Sequence, residues 1–174
     1  SIYISFGSSE TISYNTISSS ASSAGIYIDR SERIKINNNI ISASSGSGIL
    51  FYSSDDVGAD SSYHVVSDNL ITGCDYGIYV ESYTEYSTFK NNNITNHDKV
   101  GILIESYSPN NVVKYNNITG NEYGLNSSSS VDARYNWWGN ETGPSGVGPG
   151  NGDSINNTLL INFSSWLCDP SGET

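Results

Sequence analysis

Apolar and polar residues alternate in short segments along this chain, and the segments return at nearly constant intervals. One type, in which Asn precedes an apolar pair or an x-Ile pair, starts at Asn15, Asn39, Asn69, Asn92 and Asn116. A second type, Gly-Ile-x-apolar, starts at Gly25, Gly48, Gly77 and Gly101. Both series advance by 23 or 24 residues except for one longer step between the second and third members. A third apolar position lies three residues before each repeated Asn.

Alternation with a period of two is typical of strands, so each repeat predicts about three short strands. One repeat cannot bury its own apolar side, whereas stacked repeats bury a continuous core. The sequence therefore predicts an all-β parallel solenoid, or β-helix, of about six coils with one longer coil. We expect the repeats to span residues 1–138 and a Gly/Pro-rich tail and cap to span 139–174. The apolar segment Leu159–Leu167 is expected to fold back along the solenoid.

The recurrent Asn predicts a ladder at one corner of the coil. Asn tolerates the left-handed backbone conformation, so we expect the repeated Asn to turn the corner itself. Its amide can also bond the same amide one coil away. The predicted ladder comprises Asn15, Asn39, Asn69, Asn92, Asn116 and Asn136. Further on, Trp138 replaces the repeat Ile and is expected to plug the end of the core.

These repeats resemble right-handed parallel β-helix repeats of the NosD-like type found in carbohydrate-binding proteins and sugar hydrolases. The stretch 131–139, with Gly143-Pro144 and Ser165-Trp166-Leu167 after it, is similar to the terminal coil of archaeal surface proteins. The resemblance implies a right-handed helix and raises the hypothesis of a methanogen sheath or surface-layer subunit. The same fold hosts lyases, glycosidases, adhesins and structural proteins, so it leaves the activity open.

Charge narrows the functional classes. The chain has 7 Lys and Arg against 18 Asp and Glu, a net charge of −11, which argues against binding to a phosphate backbone. No stretch approaches the roughly 18 apolar residues of a membrane span. Six Asn-x-Ser/Thr sequons and the scarcity of Lys indicate an extracellular or cell-surface location. The glycosylation candidates are Asn93, Asn117, Asn126, Asn140, Asn156 and Asn162.

Carboxylates are the chemical groups that most suggest a site. Glu81-Ser82-Tyr83 and Glu105-Ser106-Tyr107 repeat one coil apart, which places the two glutamates about 5 Å from each other. That is also the spacing of a retaining glycosidase pair, roughly 5–5.5 Å, but any repeated residue acquires it in a solenoid. We therefore predict no catalytic residue and no cofactor other than Ca²⁺. The calcium candidates are Asp55, Asp56, Asp60, Glu81 and Glu105.

Three further features bear on partners. Cys74 and Cys168 allow one internal disulfide or intermolecular ones, and the sequence does not decide between them. Tyr3, Tyr27 and Tyr79 fall in one outward column, which could pack on a neighbouring subunit or stack on sugars. The chain also begins inside a coil, so we expect that end to be covered by a preceding segment or by another subunit.

Together, these features predict a non-enzymatic extracellular structural protein. We expect it to form a homo-oligomer or polymer, such as a sheath, surface layer or filament, through solenoid edges, with intermolecular disulfides as a further link that the sequence leaves open. The alternative is a carbohydrate-active β-helix module, either a polysaccharide-binding domain or a lyase or glycosidase.

Overall fold

The computed structural model describes residues 1–19, 24–43, 45–54, 61–157 and 159–171. Short strands follow one another through these residues at the predicted intervals. In chain order they are β1 (Ile2–Ser5), β2 (Thr11–Ser13), β3 (Thr16–Ser19), β4 (Ala24–Asp29), β5 (Lys35–Asn37), β6 (Ile40–Ala43), β7 (Ser47–Tyr52), β8 (Ser61–Ser62), β9 (Val65–Ser67), β10 (Leu70–Thr72), β11 (Tyr76–Val80), β12 (Thr84–Glu85), β13 (Thr88–Lys90), β14 (Asn93–Thr95), β15 (Val100–Ile104), β16 (Asn111–Lys114), β17 (Asn117–Thr119), β18 (Tyr123–Ser127), β19 (Val131–Asp132), β20 (Pro144–Gly146), β21 (Gly152–Ile155) and β22 (Ile161–Asn162).

Strands one repeat apart pair in parallel, which gives three long sheets along the solenoid. Sheet 1 has the order β1-β4-β7-β11-β15-β18-β21-β20, and sheet 2 has the order β2-β5-β9-β13-β16-β19-β22. Sheet 3 has the order β17-β14-β10-β6-β3, and β8 and β12 form a two-stranded sheet. The predicted parallel β-solenoid is confirmed, because each of the first five repeats contributes one strand to each long sheet.

Identical positions stack along the core. Ile26 pairs with Ile49, and Ile49 with Ile78, so the inward side chains of sheet 1 form one continuous column. The register of Val66 with Phe89 keeps the same order in sheet 2. All five side chains are fully buried. Stacked apolar columns of this kind bury in every coil the face that one repeat alone would leave in water.

The repeat glycines at the start of the sheet 1 strands permit this close stacking. A Cβ atom added at Gly77 would lie 2.5 Å from the carbonyl oxygen of Gly101 in the next coil. A Cβ carbon does not approach a carbonyl oxygen this closely, so a side chain here would push adjacent coils apart. The Gly-Ile pattern therefore records a steric requirement of coil spacing as well as strand propensity.

The predicted Asn column forms a hydrogen-bonded ladder between sheets 2 and 3. The Asn92 Oδ1 accepts the backbone N–H and the side-chain Nδ2–H of Asn69 at 3.1 and 3.0 Å. The Asn92 Nδ2 donates to the backbone oxygen of Val66 and to Asn116 Oδ1, both at 3.0 Å. Comparable amide-to-amide bonds link the other members in order, namely Asn15, Asn39, Asn69, Asn116 and Asn136.

The residue that turns this corner is not the ladder Asn, as the sequence led us to expect, but the residue before it. Left-handed φ angles between 55° and 62° occur at Tyr14, Asn38, Asp68, Asn91, Tyr115 and Tyr135. The physical reason is the direction of the backbone N–H groups. The ladder Asn must point its N–H along the solenoid axis toward the next Oδ1, so the chain reverses one residue earlier.

The C-terminal segment also differs from its prediction. It does not fold back along the solenoid: β21 pairs in parallel with β18, and β22 pairs in parallel with β19. The segment thus adds an irregular further coil whose Ile155 and Ile161 are buried in the same core. Its physical role is to cover the apolar ends and pair the free edges of the preceding coil. Trp138 is fully buried in this core, in the place of the repeat Ile.

We expect Asn92→Ala to lower the free energy of unfolding by about 2–4 kcal/mol, because it leaves several buried donors and acceptors in both neighbouring coils without partners. Urea unfolding followed by circular dichroism measures this. The matched control is Asn126→Ala, on the outer face of sheet 1 in β18. If the two variants unfold at the same urea concentration, the ladder does not stabilise the coil stack.

Candidate functional site

The outer face of sheet 1 carries a row of large side chains that runs through successive coils. Tyr3 pairs with Tyr27, Tyr27 with Leu50, Leu50 with Tyr79 and Tyr79 with Leu103. Their neighbours in each strand point into the core, so the row faces outward. The rings of Tyr3 and Tyr27 lie 5.2 Å apart, centre to centre. We call this the sheet 1 row. It is the predicted tyrosine column, with Leu in the third and fifth coils.

Two carboxylates lie beside this row in adjacent coils. The Tyr79 hydroxyl donates to a carboxylate oxygen of Glu105 at 3.5 Å. Burial and the Glu105 charge raise the pKa of Glu81, and burial and the Glu81 charge raise the pKa of Tyr79 to about 12. Among the described residues, neither glutamate forms an ion pair with Lys, Arg or His. The pair is therefore an uncompensated, partly desolvated patch of negative charge.

Asp29 occupies the same repeat position two coils before Glu81 and behaves differently. The Arg30 guanidinium donates to both of its carboxylate oxygens, at 2.8 and 3.0 Å, and the Tyr3 and Ser5 hydroxyls donate to Oδ2. Hydrogen bonds from Arg30 come first among the causes that lower the pKa of Asp29 to about 2. Asp29 is thus a neutralised structural carboxylate, whereas Glu81 and Glu105 have no cationic partner among the described residues.

Calcium binding stays a prediction. Asp55, Asp56 and Asp60 lie outside the described residues. Within the described part of the chain, no group of three or more His, Cys, Asp or Glu side chains could hold a metal ion. Glu81 and Glu105 would supply two carboxylates to an ion that takes six to eight oxygen ligands.

Tyrosines also stack at the corners of the coil. Three ring pairs from adjacent coils lie at 5.2–5.6 Å with their planes within 10° of parallel, namely Tyr63–Tyr86, Tyr83–Tyr107 and Tyr115–Tyr135. Sequence reasoning missed the first pair, and the repeated Glu-Ser-Tyr tripeptide was the signal for the second. Each ring covers one face of its neighbour, and Tyr63, Tyr86, Tyr107 and Tyr115 stay largely exposed. Partly exposed aromatic rings of this kind can contact another protein or a sugar.

The two histidines are part of the corner hydrogen bonding rather than a site. His97 Nδ1 accepts the backbone N–H of Cys74, and Nε2 bonds the backbone oxygen of Ile71, both at 3.2 Å. Asn121 does the same one coil on, accepting the His97 N–H at 3.0 Å and donating to the Ile94 oxygen. Since Nδ1 accepts, the ring proton lies on Nε2. Burial is the main reason that the pKa of His97 is lowered to about 4.

His64 follows the same rule at the corner between sheets 1 and 2. Its Nδ1 accepts the backbone N–H of Ile34 at 3.2 Å, and its Nε2 lies 2.8 Å from the Ser61 hydroxyl. Burial lowers the pKa of His64 to about 3. Because its Nδ1 is already an acceptor, Nε2 carries the proton and cannot act as a base toward Ser61.

The cysteines are not bonded to each other, so the internal disulfide that the sequence left open is not formed in this structure. Cys74 is buried and Cys168 is exposed. The Cys74 thiol contacts the Thr72 backbone oxygen at 3.5 Å, and burial raises its pKa to about 11. A bridge from Cys74 to another chain would require its coil to open. An intermolecular bridge through Cys168 stays a prediction.

Two of the six sequons stack on each other. Asn93 and Asn117 are direct partners in sheet 3, and Asn117 Nδ2 donates to Asn93 Oδ1 at 3.0 Å. Glycans on both would start one strand spacing apart, about 4.8 Å, so we expect no more than one of the two to be occupied. The sequon of Asn156 ends at residue 158, outside the described residues. Glycosylation at these sites and at Asn126, Asn140 and Asn162 stays a prediction.

Comparison with known families now defines the class of protein. The family model described as a right-handed β-helix region matches residues 1–159. The chain therefore belongs to the right-handed β-helix family, which confirms the β-helix part of the resemblance and the predicted handedness. Searches of curated proteins and of solved structures each found no significant match. No helix in the described residues is long and apolar enough to cross a membrane.

We expect the protein to lose stability as the pH falls from about 6.5 toward 4, because the unfolded chain protonates its histidines at their ordinary pKa and the folded chain does not. His97→Asn keeps an acceptor and a donor at the same corner, as Asn121 does, but does not titrate. This variant should fold and should lose less stability over that pH interval than the parent, by up to about 3 kcal/mol.

Urea unfolding at several pH values between 4 and 7.5 measures the difference. The control is Asn121→Gln, which changes the hydrogen bonds at the same corner, one coil on from His97, without removing a titrating group. If the stability of His97→Asn changed with pH in the same way as that of the parent, His97 would not be the neutral corner residue assigned here.

Proposed function

We propose that this chain is a non-enzymatic structural module of an extracellular assembly, such as a sheath, surface layer or filament, in which β-helices associate laterally with copies of themselves. The observation that carries the proposal is the sheet 1 row, which presents Tyr and Leu side chains outward through five successive coils. A continuous apolar and aromatic strip of this kind is typical of surfaces that meet another protein.

The way the polar residues are used supports this reading. The buried Asn, Ser and His side chains at the corners are engaged in coil-to-coil hydrogen bonds, as Asn92, Ser108 and His97 show. Side chains that are hydrogen-bonded within the stack make it rigid and do not offer reactive groups at the surface. A stiff rod with regular outer faces is suited to building an array.

The corner tyrosines support lateral contact as well. Tyr63, Tyr86 and Tyr107 are each about half to two-thirds exposed. Stacking on a neighbouring ring already restricts these side chains, so less conformational entropy is lost when they enter an interface. Tyrosine is also among the residues most enriched at protein interfaces. The sequons and the scarcity of Lys favour an extracellular location for this assembly.

A carbohydrate-active module is the second candidate, and the Glu81–Glu105 pair is the observation that favours it. A carboxyl with a raised pKa beside a second carboxyl is the arrangement that glycosidases use for acid and base roles. The two functions differ in what they require. Polysaccharide cleavage that disappears in Glu81→Gln and Glu105→Gln would establish the enzyme, and assembly without sugar would support the structural module.

The test is sedimentation velocity over a range of protein concentrations, with negative-stain electron microscopy of the same samples, with and without a reducing agent. We expect ordered sheets or filaments that form without added carbohydrate. Cys168→Ser serves as the control that separates disulfide linkage from surface packing, and we expect it to assemble with loss only of reductant-sensitive species. A monomer under all conditions would overturn the proposal and direct attention to polysaccharide assays.

A further inference from the structure

The outer face of sheet 2 is positively charged although the whole chain is strongly negative. Lys35, Lys90 and Lys114 lie on this face, and Lys90 pairs directly with Lys114 in adjacent coils. Three of the seven basic residues of the chain are thus gathered on a single sheet face. We call this the basic face.

Asp132 does not neutralise the basic face. Its carboxylate lies 2.6 Å from Lys114 Nζ, but the Arg134 guanidinium also donates to both of its oxygens, at 2.9 and 2.8 Å. Hydrogen bonds from Arg134, ahead of those from Lys114, hold the pKa of Asp132 well below its usual range. One negative charge is therefore shared by two cations, and the face keeps a positive surplus.

The outer face of sheet 1 carries the opposite charge. Glu81 and Glu105 lie beside it in adjacent coils and form no ion pair among the described residues, whereas Asp29 is buried and neutralised by Arg30. We call this the acidic face. Phe51 of sheet 1 and Phe89 of sheet 2 meet edge to face across the core at 6.0 Å. The two sheets therefore share one core, and their outer faces point away from each other.

The two faces also match in spacing. Glu81 and Glu105 are one coil apart, and so are Lys90 and Lys114, so both pairs repeat at the same interval of about 4.8 Å. The two lysines of one copy can therefore face the two glutamates of another copy at the same time. Each face also offers apolar contact, from Leu50 and Leu103 on one and from Val65 and Val112 on the other, all partly buried already.

We propose that the acidic face of one copy docks on the basic face of the next copy, with the Glu81–Glu105 pair opposite the Lys90–Lys114 pair. This inference rests on the proposed lateral self-association and specifies its two surfaces. A contact between two different faces of the same molecule leaves one free face at each end, so it propagates into a filament, or into a ring where the rotation closes, instead of ending at a dimer. Complementary charge selects this pairing over like faces, which repel.

The test reverses each face separately. The first variant carries Glu81→Lys and Glu105→Lys, and the second carries Lys90→Glu and Lys114→Glu. Each variant alone has two faces of the same sign, so we expect its self-association to weaken by about tenfold or more, since like charges across an interface are strongly unfavourable. An equimolar mixture of the two variants restores opposite charges at every contact, so it should assemble again, with the variants alternating.

Sedimentation velocity at low salt measures association, and electron microscopy shows whether the mixture forms the same arrays as the parent. Circular dichroism and urea midpoints verify that both variants are folded. The matched control is Glu122→Lys with Glu141→Lys, which changes the charge by the same amount as the first variant at exposed sites outside the two faces. We expect this control to assemble like the parent. Raising the salt from 50 to 500 mM should weaken assembly of the parent, because screening shortens the reach of surface charges.

Assembly of either reversed variant alone at parental affinity would overturn the docking inference and leave the proposed function standing. A mixture that fails to assemble although both variants are folded would overturn it as well. A parent protein that stays monomeric at every concentration and salt would overturn the proposed function itself, and the docking inference with it.

Discussion

Backbone N–H groups at the corners of the coil impose the constraint on which the rest of this structure depends. Within the strands, the parallel ladders satisfy the peptide groups, but at a corner the chain turns and a buried N–H must find another acceptor. The molecule meets this requirement with a side chain from the next coil. Asn92 accepts from Asn69, His97 accepts from Cys74, and Ser108 accepts from Thr84.

Side chains at these corner positions also donate a hydrogen bond to a backbone oxygen of the preceding coil. Asn116 donates to the Phe89 oxygen, Ser108 to the Glu81 oxygen and Asn121 to the Ile94 oxygen. Any side chain that can accept at one atom and donate at another fits this role, which is why Asn, Ser and neutral His occupy equivalent positions. These hydrogen bonds join only neighbouring coils at the corners, so extra residues between two corners do not change the register of the strands. Phe51 and Val66 are separated by six more residues than Val80 and Phe89, yet the register of Val66 with Phe89 is kept.

The periodicity in the sequence was enough to predict the coil register, because segments that share one step must stack on one another. It located the Asn ladder and the sheet 1 row for the same reason. It did not identify the left-handed residues, since Tyr14 and Asp68 carry no common signature and the turn is dictated by the direction of the ladder N–H. A step of 23 or 24 residues also aligns His97 with Cys74 and Asn121, but three different residue types in one column form no recognisable repeat. The tail was mispredicted because its pairing is irregular, with a register shift between Tyr123 and Leu125.

The outer faces are under no such constraint, so their residue composition can reflect contacts with other molecules. Inside the solenoid, a coil is nearly a copy of its neighbour because packing and corner hydrogen bonds require it. Outside, the side chain at a given position can vary without disturbing the stack, as the presence of both Tyr and Leu in the sheet 1 row shows. A separation of charge between two outer faces therefore does not follow from the fold. In a chain of net charge −11, the collection of Lys35, Lys90 and Lys114 on one face needs an explanation outside the stack, and a surface of opposite charge on another molecule provides one.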